Sequence, residues 1–185
     1  MTPEEVGRRA VALGAESFAV AYGEVTAQVP AAAWATTARA VRDDPDLATD
    51  FFDWLSAVDE VERGFAVLLH LYSTVHRHRI LLRTEIPAEA PRLSTVTEVF
   101  PGADWHERET HEMFGVEFPG HPDLRPLLLP DGFEGNPLRK DFILASRVAK
   151  DWPGAPEPGE SRSSRPRRRR LRPPGVPETW GDANG

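Results

Sequence analysis

Between Arg63 and Ile86 the chain alternates so regularly that paired strands are the natural reading. Phe65, Val67, Leu69 and Leu71 fall on one side of an extended backbone, and Ala66, Leu68, His70 and Tyr72 on the other. After a turn near Ser73–Val75 the pattern returns in Arg77–Ile86, where Ile80 and Leu82 alternate with Arg79, Leu81 and Arg83. Strand side chains repeat with a period of two, so this segment predicts a β-hairpin with an apolar face. Such a face has to be covered, and the flanking sequence offers helices that can do it.

Thr2-Pro3-Glu4-Glu5 predicts a helix start, with Thr2 as cap, Pro3 in the first helical position and Glu5 closing a capping box. That helix should end near Gly14. Ser17–Val29 holds two short β-prone runs around Tyr22-Gly23, a hairpin or strand pair. Pro30 opens a helix through Ala40 or Arg42, stopped by Asp43-Asp44-Pro45. Phe51–Val58 is apolar and leaves strand and helix open. Thr95-Val96-Thr97-Glu98 has the capping-box pattern and predicts a short helix ended by Pro101-Gly102. Asp104-Trp105-His106-Glu107 is a further box, whose helix stops at Gly115, a natural left-handed cap. The expected class is α+β: two layers, a mixed β-sheet packed against helices, then an extended irregular C-terminal segment and a tail.

A chain of 185 residues supports one domain of about 150 residues plus an appendage. The expected division is a core domain over 1–118, an extended interface segment over 119–150, and a Pro/Arg-rich tail over 151–185. Seven of the 22 basic residues lie between Arg162 and Arg172, although the net charge of the chain is −7. With many prolines and few large apolar residues, the tail should be disordered alone or extended along a partner. Its arginines could meet nucleic acid or anionic lipid. No aromatics interleave them and the body is acidic, which favours a solvated tail or an acidic subunit as partner. There is no cysteine, which excludes a thiolate nucleophile, Cys-ligated zinc and Cys-held iron–sulfur clusters. No apolar run reaches the 18 or so residues of a membrane span, and the N-terminus has no signal-peptide pattern. A soluble, cytoplasmic-side protein is expected, one able to sit on a membrane complex.

Trp105–Phe142 packs charge, Gly, Pro and single aromatics too densely for either period to persist. His106 and His111 are five residues apart, which turns them about 140° from each other on a helix and keeps them off one metal ion. His76 and His78 share a face of a strand, and His121 follows Gly120 in a loop. Trp105, Glu109 and Met113 form one stripe with Glu112 close by, and Arg108 can pair with Glu112 at i, i+4. Glu109 then needs a partner elsewhere. Either this is an ordinary surface helix or its charged face is buried at a permanent interface. Gly115, Gly120, Gly132 and Gly135 do not form a dinucleotide or phosphate loop. Pro119, Pro122, Pro126, Pro130 and Pro137 make the segment stiff and poor at pairing with itself. Leu127-Leu128-Leu129 and Phe133 are apolar anchors; Arg125, Arg139 and Lys140 are cations. Such a strap loses little entropy on docking, and it could equally cover its own core.

Glu107-Arg108-Glu109-x-x-Glu112-Met113-Phe114-Gly115-Val116, Gly120-His121-Pro122-Asp123-Leu124-Arg125, Leu128-Leu129-Pro130 and Gly135-x-Pro137-Leu138-Arg139-Lys140-Asp141-Phe142 together closely resemble the signature of the respiratory complex I 30 kDa subunit family. Its bacterial members are the C subunits of NADH–quinone oxidoreductase. Weaker similarity runs back through Phe52–Asp59, so that the resemblance covers roughly residues 30–150. Glu112 stands where the family usually has Asp, and Pro126 where it usually has a second Arg, so one ion pair is not expected there. The N-terminal region looks short for the family, and the arginine tail is outside the signature.

The resemblance implies a two-layer α+β subunit of the peripheral arm with no redox centre, no catalytic residue, no cofactor-binding residue and no metal. FMN, iron–sulfur clusters and quinone would belong to partner subunits. The implied partners are the quinone-site (49 kDa-type) subunit and the neighbouring iron–sulfur subunits, not nucleic acid. The implied location is the cytoplasmic side of the cell membrane, peripheral, with membrane contact only through the complex. Glu107, Arg108, Glu109, Glu112, Gly115, His121, Pro122, Leu124, Arg125, Pro130, Gly135, Pro137, Leu138, Arg139 and Lys140 carry over as structural and interface positions. The same signature resembles the equivalent subunit of membrane-bound hydrogenase and F420H2 dehydrogenase complexes, where the electron donor differs.

Overall fold

The capping box at the N-terminus forms as its residues require. In this computed structural model, which describes residues 1–142, Glu5 Oε2 accepts the Thr2 N–H at 2.8 Å and Thr2 Oγ1 accepts the Glu5 N–H at 3.3 Å. Helix α1 (Pro3–Ala12) starts there, followed by β1 (Ser17–Ala21) and β2 (Glu24–Gln28). A 3-10 turn over Ala31–Ala33 leads into α2 (Trp34–Asp43). Strands β3 (Phe51–Asp59), β4 (Phe65–Tyr72) and β5 (Arg79–Ile86) complete the sheet, and α3 spans Ala103–Phe114. Residues 143–185, which include the expected tail and the end of the expected interface segment, lie outside the described residues.

The five strands run in the order β1-β2-β5-β4-β3, antiparallel throughout except for the parallel β2–β5 pair. The sheet is therefore mixed, because the chain crosses from β2 through α2 and the β3–β4 hairpin before β5 returns beside β2. Phe65, Val67, Leu69 and Leu71 are all at most 2 % exposed and face Val25, Ala27, Ile80 and Leu82 of the same layer. Register is specified by this burial, since a one-residue slip would turn the whole set to solvent. Trp34, Ala38 and Val41 of α2 and Val6 and Ala10 of α1 close the core from the helical side. On the opposite face Trp54, Leu68, His70, Tyr72 and Leu81 are half-buried. No helix among the described residues covers them.

Phe51–Asp59 resolves as a strand because it pairs with β4 along its length. A bulge between Phe52 and Trp54 lets the two aromatics face opposite sides. Phe52 packs on Phe100 and His106 with ring centroids 6.0 and 5.1 Å away, while Trp54 stacks on His70 at 5.6 Å.

Three local expectations are corrected. The β4–β5 turn is longer than Ser73–Val75: Ser73 N–H bonds to His78 O, so β5 begins at Arg79 and His76 lies in the turn, its ring stacked on His78. Residues 95–102 are turns and not a helix. Thr95 Oγ1 accepts the N–H of Thr97, two residues on, and meets Glu107, while Glu98 turns away to Arg39 at 3.5 Å. Neither member of that box is therefore free to cap. The box expected at Asp104 is also absent. Helix α3 starts at Ala103 with no side-chain cap, and Glu107 points into the core instead of back at the helix start. At the far end Gly115 adopts φ +75, the left-handed cap its position suggested.

Candidate functional site

Helix α3 and residues 119–142 form one structural unit. Between Pro126 and Pro130 the backbone has only three N–H groups, and all three point at Glu112. Leu127 N and Leu128 N donate to its Oε2 at 3.3 and 2.8 Å, and Leu129 N donates to its Oε1 at 2.9 Å. Burial alone pushes this carboxyl up, but the three donors outweigh it and hold Glu112 below its usual carboxylate range. One helical turn earlier Arg108 takes the opposite polarity of the same strap. Its Nε donates to Arg125 O at 3.0 Å and its Nη2 to Pro126 O at 2.9 Å. The i, i+4 ion pair expected between Arg108 and Glu112 is replaced by a clamp in which the cation holds carbonyls and the anion holds N–H groups. Both partners gain from this, because the strap cannot satisfy those groups by pairing with itself.

The end of α3 is closed by the same ribbon. Asn136 Nδ2 donates to Glu112 O at 2.9 Å and Leu138 N to Met113 O at 3.1 Å, which satisfies two carbonyls the helix leaves open. Gly115 makes this approach possible. A Cβ there would sit 2.8 Å from Asn136 Oδ1, on a backbone at φ +75. Gly115→Ala should therefore lower stability by about 1–2 kcal/mol and separate Asn136 from α3. The urea midpoint and the Asn136 side-chain amide signals report the two effects.

Beyond this clamp the strap returns to the sheet. The Arg139 guanidinium lies 5.0 Å from the centroid of Phe65, and its Nη2 reaches Ala88 O at 3.5 Å. Lys140 N donates to Asp59 Oδ2 at 2.8 Å, the leading reason the Asp59 carboxyl is held low. Gly135 lets Phe142 pack close, and Phe142 stacks on Phe133 at 5.9 Å. Arg125 pairs with Asp123 at 2.6 Å. Leu124 and Pro137 are half-buried, and Pro122 and Pro130 are exposed.

The buried carboxylate of α3 is Glu107, not a member of the Trp105–Glu109–Met113 stripe. Glu107 is 0 % exposed, whereas Trp105 is 67 % exposed and Glu109 makes no ion pair among the described residues. Thr95 Oγ1 lies 2.5 Å from Glu107 Oε2, and Val96 N donates to Oε1 at 2.7 Å. His121, its ring fully buried, approaches Glu107 Oε2 at 4.0 Å and Asp104 Oδ1 at 3.5 Å through Nε2. Its Nδ1 accepts the Asp123 N–H at 3.0 Å; this places the ring proton on Nε2. Desolvation dominates, with Asp104 adding to it, and the Glu107 carboxyl is pushed up to about 7.

Glu107 and His121, which stand fourteen residues apart in the motif, thus meet in one buried cluster, while Arg108, Glu112 and Arg125 share the clamp. Arg139 and Lys140 anchor elsewhere, on Phe65 and Asp59. Thr95, Val96, Asp104 and Asn136 complete these contacts without any motif signal. Val96 and Asn136 contribute through tertiary proximity alone. Thr95 and Asp104 are visible in the sequence only as helix caps, roles they do not take. His106 Nδ1 faces the backbone of Leu55 and His111 Nδ1 that of Val116. The two rings are thus engaged at separate places.

Outward from the clamp, Trp105, Leu128, Leu138 and Phe133 are between 42 and 67 % exposed. Fold and site together define a two-layer α+β domain carrying a side-chain-clamped ribbon with exposed apolar groups. Its sequence and fold match those of proteins of known family. The family described as "Respiratory-chain NADH dehydrogenase, 30 Kd subunit" matches residues 27–148, and the chain belongs to that family. The C subunit of the NADH-quinone oxidoreductase of Roseiflexus castenholzii is 41 % identical over 136 residues, 72 % of this chain and 76 % of the relative. Its counterpart in Methylobacterium radiotolerans is 45 % identical over 134 residues, which span 71 % of this chain and 62 % of that relative. Among solved structures, a trypsin-resistant fragment of Nqo5 is 28 % identical with a TM-score of 0.56, covering 67 % of this chain and 100 % of the fragment. A chain of the membrane-bound sulfane sulfur reductase, described as an archaeal respiratory membrane complex, is 26 % identical with a TM-score of 0.66, covering 76 % of this chain and 85 % of that one.

Proposed function

We propose that this chain is a non-catalytic structural subunit of the peripheral arm of a proton-translocating NADH–quinone oxidoreductase. In this reading it docks through the α3–strap unit on the quinone-site subunit and on neighbouring iron–sulfur subunits. Electrons would pass from NADH through FMN and iron–sulfur centres to quinone in those partners, and this chain would hold them in register. One observation carries the proposal. The strap is clamped from beneath by Arg108 and Glu112, yet it leaves Leu128, Phe133 and Leu138 exposed, as is Trp105 on the helix that clamps it. A preorganised ribbon loses little entropy on binding, so its exposed apolar groups can serve association. No helix among the described residues is long and apolar enough to cross a membrane, and peripheral attachment on the cytoplasmic side through partner subunits is part of the proposal.

The test is affinity recovery of the tagged chain from mild-detergent membrane extract with mass spectrometry of its companions. Recovery of quinone-site, NADH-binding and iron–sulfur subunits is expected. Leu128→Glu with Leu138→Glu should leave the circular dichroism and urea midpoint of the free chain unchanged while reducing that recovery at least tenfold. Undiminished recovery would remove the strap from the interface. The likeness to the sulfane sulfur reductase chain supports a second reading, an equivalent subunit of a related hydrogenase-type or F420H2-dehydrogenase-type complex. Its signature would be recovery of such partners in place of an NADH-binding subunit.

A further inference from the structure

We propose that the two hairpin tips at the end of the sheet remote from the strap form a second docking surface. Its partner would be a protein offering an apolar slot for Tyr22 edged by a carboxylate for Arg77. The β1–β2 tip and the β4–β5 tip lie side by side, because β2 and β5 run parallel with Val25 opposite Ile80. Each tip carries a bulky residue in the left-handed region, Tyr22 at φ 54 and Arg77 at φ 58. Glycine or asparagine adopts that conformation readily, whereas a bulky side chain is strained there by roughly 1 kcal/mol or more. Arg77 N donates to Ser73 O at 2.9 Å across its turn, but among the described residues neither side chain has a hydrogen-bond or ion-pair partner to offset the strain. Tyr22 is 105 % exposed, as open as in an unfolded chain, and Arg77 is exposed with no ion pair among the described residues. Val75, on the same tip as Arg77, is 69 % exposed.

Strained, exposed residues whose side chains have no polar partner among the described residues point to a use outside the fold. Tyrosine and arginine are also the side chains that dominate binding energy at protein interfaces. Between the tips lies a cleft of about 340 Å³ with Val6 and Val25 among its lining residues. Arg79 in its wall is already paired with Glu24 at 3.0 Å, and burial holds the His78 ring low, so Arg77, with the Met1 amino group at the same cleft, is left to a partner's anion. A single arginine gains only about 1 kcal/mol from an anionic lipid surface, so a protein carboxylate with an adjoining apolar slot fits this tip better than a membrane. Phe65 pairs with Ile86 at the strap end of the hairpin, and Tyr72 with Arg79 at the tip end. The two surfaces are thus separated by about seven residues of strand, roughly 23 Å.

The inference rests on the chain residing in a multi-subunit complex, and the strap variants described above separate the two ideas. With p-benzoylphenylalanine at position 22 of the assembled, detergent-solubilised complex, irradiation should give one major adduct. It should join a partner-subunit peptide bearing Asp or Glu near the attachment point, and Arg77→Ser should reduce it at least fivefold. Tyr22→Asn should raise the urea midpoint of the free chain by relieving the strained turn, while weakening retention of that partner at raised salt at least tenfold. Adducts to lipid, to a second copy of this chain or to nothing, in a complex that still assembles through the strap, would overturn the tip proposal and leave the strap reading intact. A Tyr22→Asn complex retained like wild type would overturn it as well.

Discussion

Replacing Glu112 by alanine should free the strap while leaving the sheet folded. Three consecutive N–H groups, those of Leu127, Leu128 and Leu129, converge on that one carboxylate. Hydrogen bonds to a charged acceptor contribute more than neutral ones, and water replaces part of each at a half-buried site. A combined loss of about 2–3 kcal/mol in local opening free energy is therefore expected. Amide exchange at Leu127, Leu128 and Leu129 should accelerate roughly 30- to 150-fold, while Leu69 in the central sheet exchanges as before. Glu112→Gln should recover part of the protection through its remaining carbonyl oxygen. Glu112→Asp keeps the charge on a shorter arm and should protect better than Gln. Unchanged exchange at the three leucines in Glu112→Ala would show that the prolines alone hold the ribbon.

The second large effect is one of pH. Glu107 is fully buried, and its carboxyl is pushed up to about 7 from an ordinary 4.5. Because the folded-state value is the higher, the folded chain keeps a proton that the unfolded chain has already released. The group therefore weakens the fold progressively as pH rises from about 4.5 to about 7. Above that window the penalty is constant and on the order of 3 kcal/mol. The cluster tolerates the neutral acid, since Glu107 can donate to Thr95 Oγ1 at 2.5 Å while its other oxygen still accepts the Val96 N–H. Glu107→Gln preserves that geometry without a titrating group. Its stability should match wild type near pH 5 and exceed it by roughly 2–3 kcal/mol near pH 8, as read by urea denaturation at the two pH values. A difference between the two proteins that does not change with pH would refute the assignment.

Several elements were legible because their determinants are local. Thr2 with Glu5, Pro3, Gly115 and the alternation within Phe65–Tyr72 and Arg79–Ile86 each act within a few residues, and all appear as their side-chain chemistry requires; the turn at Tyr22-Gly23 forms too, eased by Gly23 but not by Tyr22. The 95–98 and 104–107 boxes failed for one shared reason. Thr95 and Glu107 have the residue types of local caps, but each finds a stronger partner in the other, across eleven intervening residues. A buried carboxylate gains more from a tertiary hydroxyl and a backbone N–H than from closing its own helix. The choice between Glu107 and Glu109 as the buried acid was equally illegible, because helical spacing defines stripes without saying which one meets the core. In the same way the spacing of Arg108 and Glu112 favours an ion pair, and only the neighbouring proline-flanked ribbon, with N–H groups and carbonyls to satisfy, draws them apart.

Fold class, the strand pairing of the central hairpin, the helix stop at Gly115 and family membership all follow from the order of residues. Periodicity, capping and an ordered signature are properties of neighbours along the chain. Three outcomes required the folded arrangement: β2 lies parallel to β5, Glu107 shares a buried cluster with His121 and Thr95, and Arg108 and Glu112 hold opposite polarities of one strap. They depend on which unsatisfied groups are brought within about 3 Å of each other, and that distance exists only after the chain has folded.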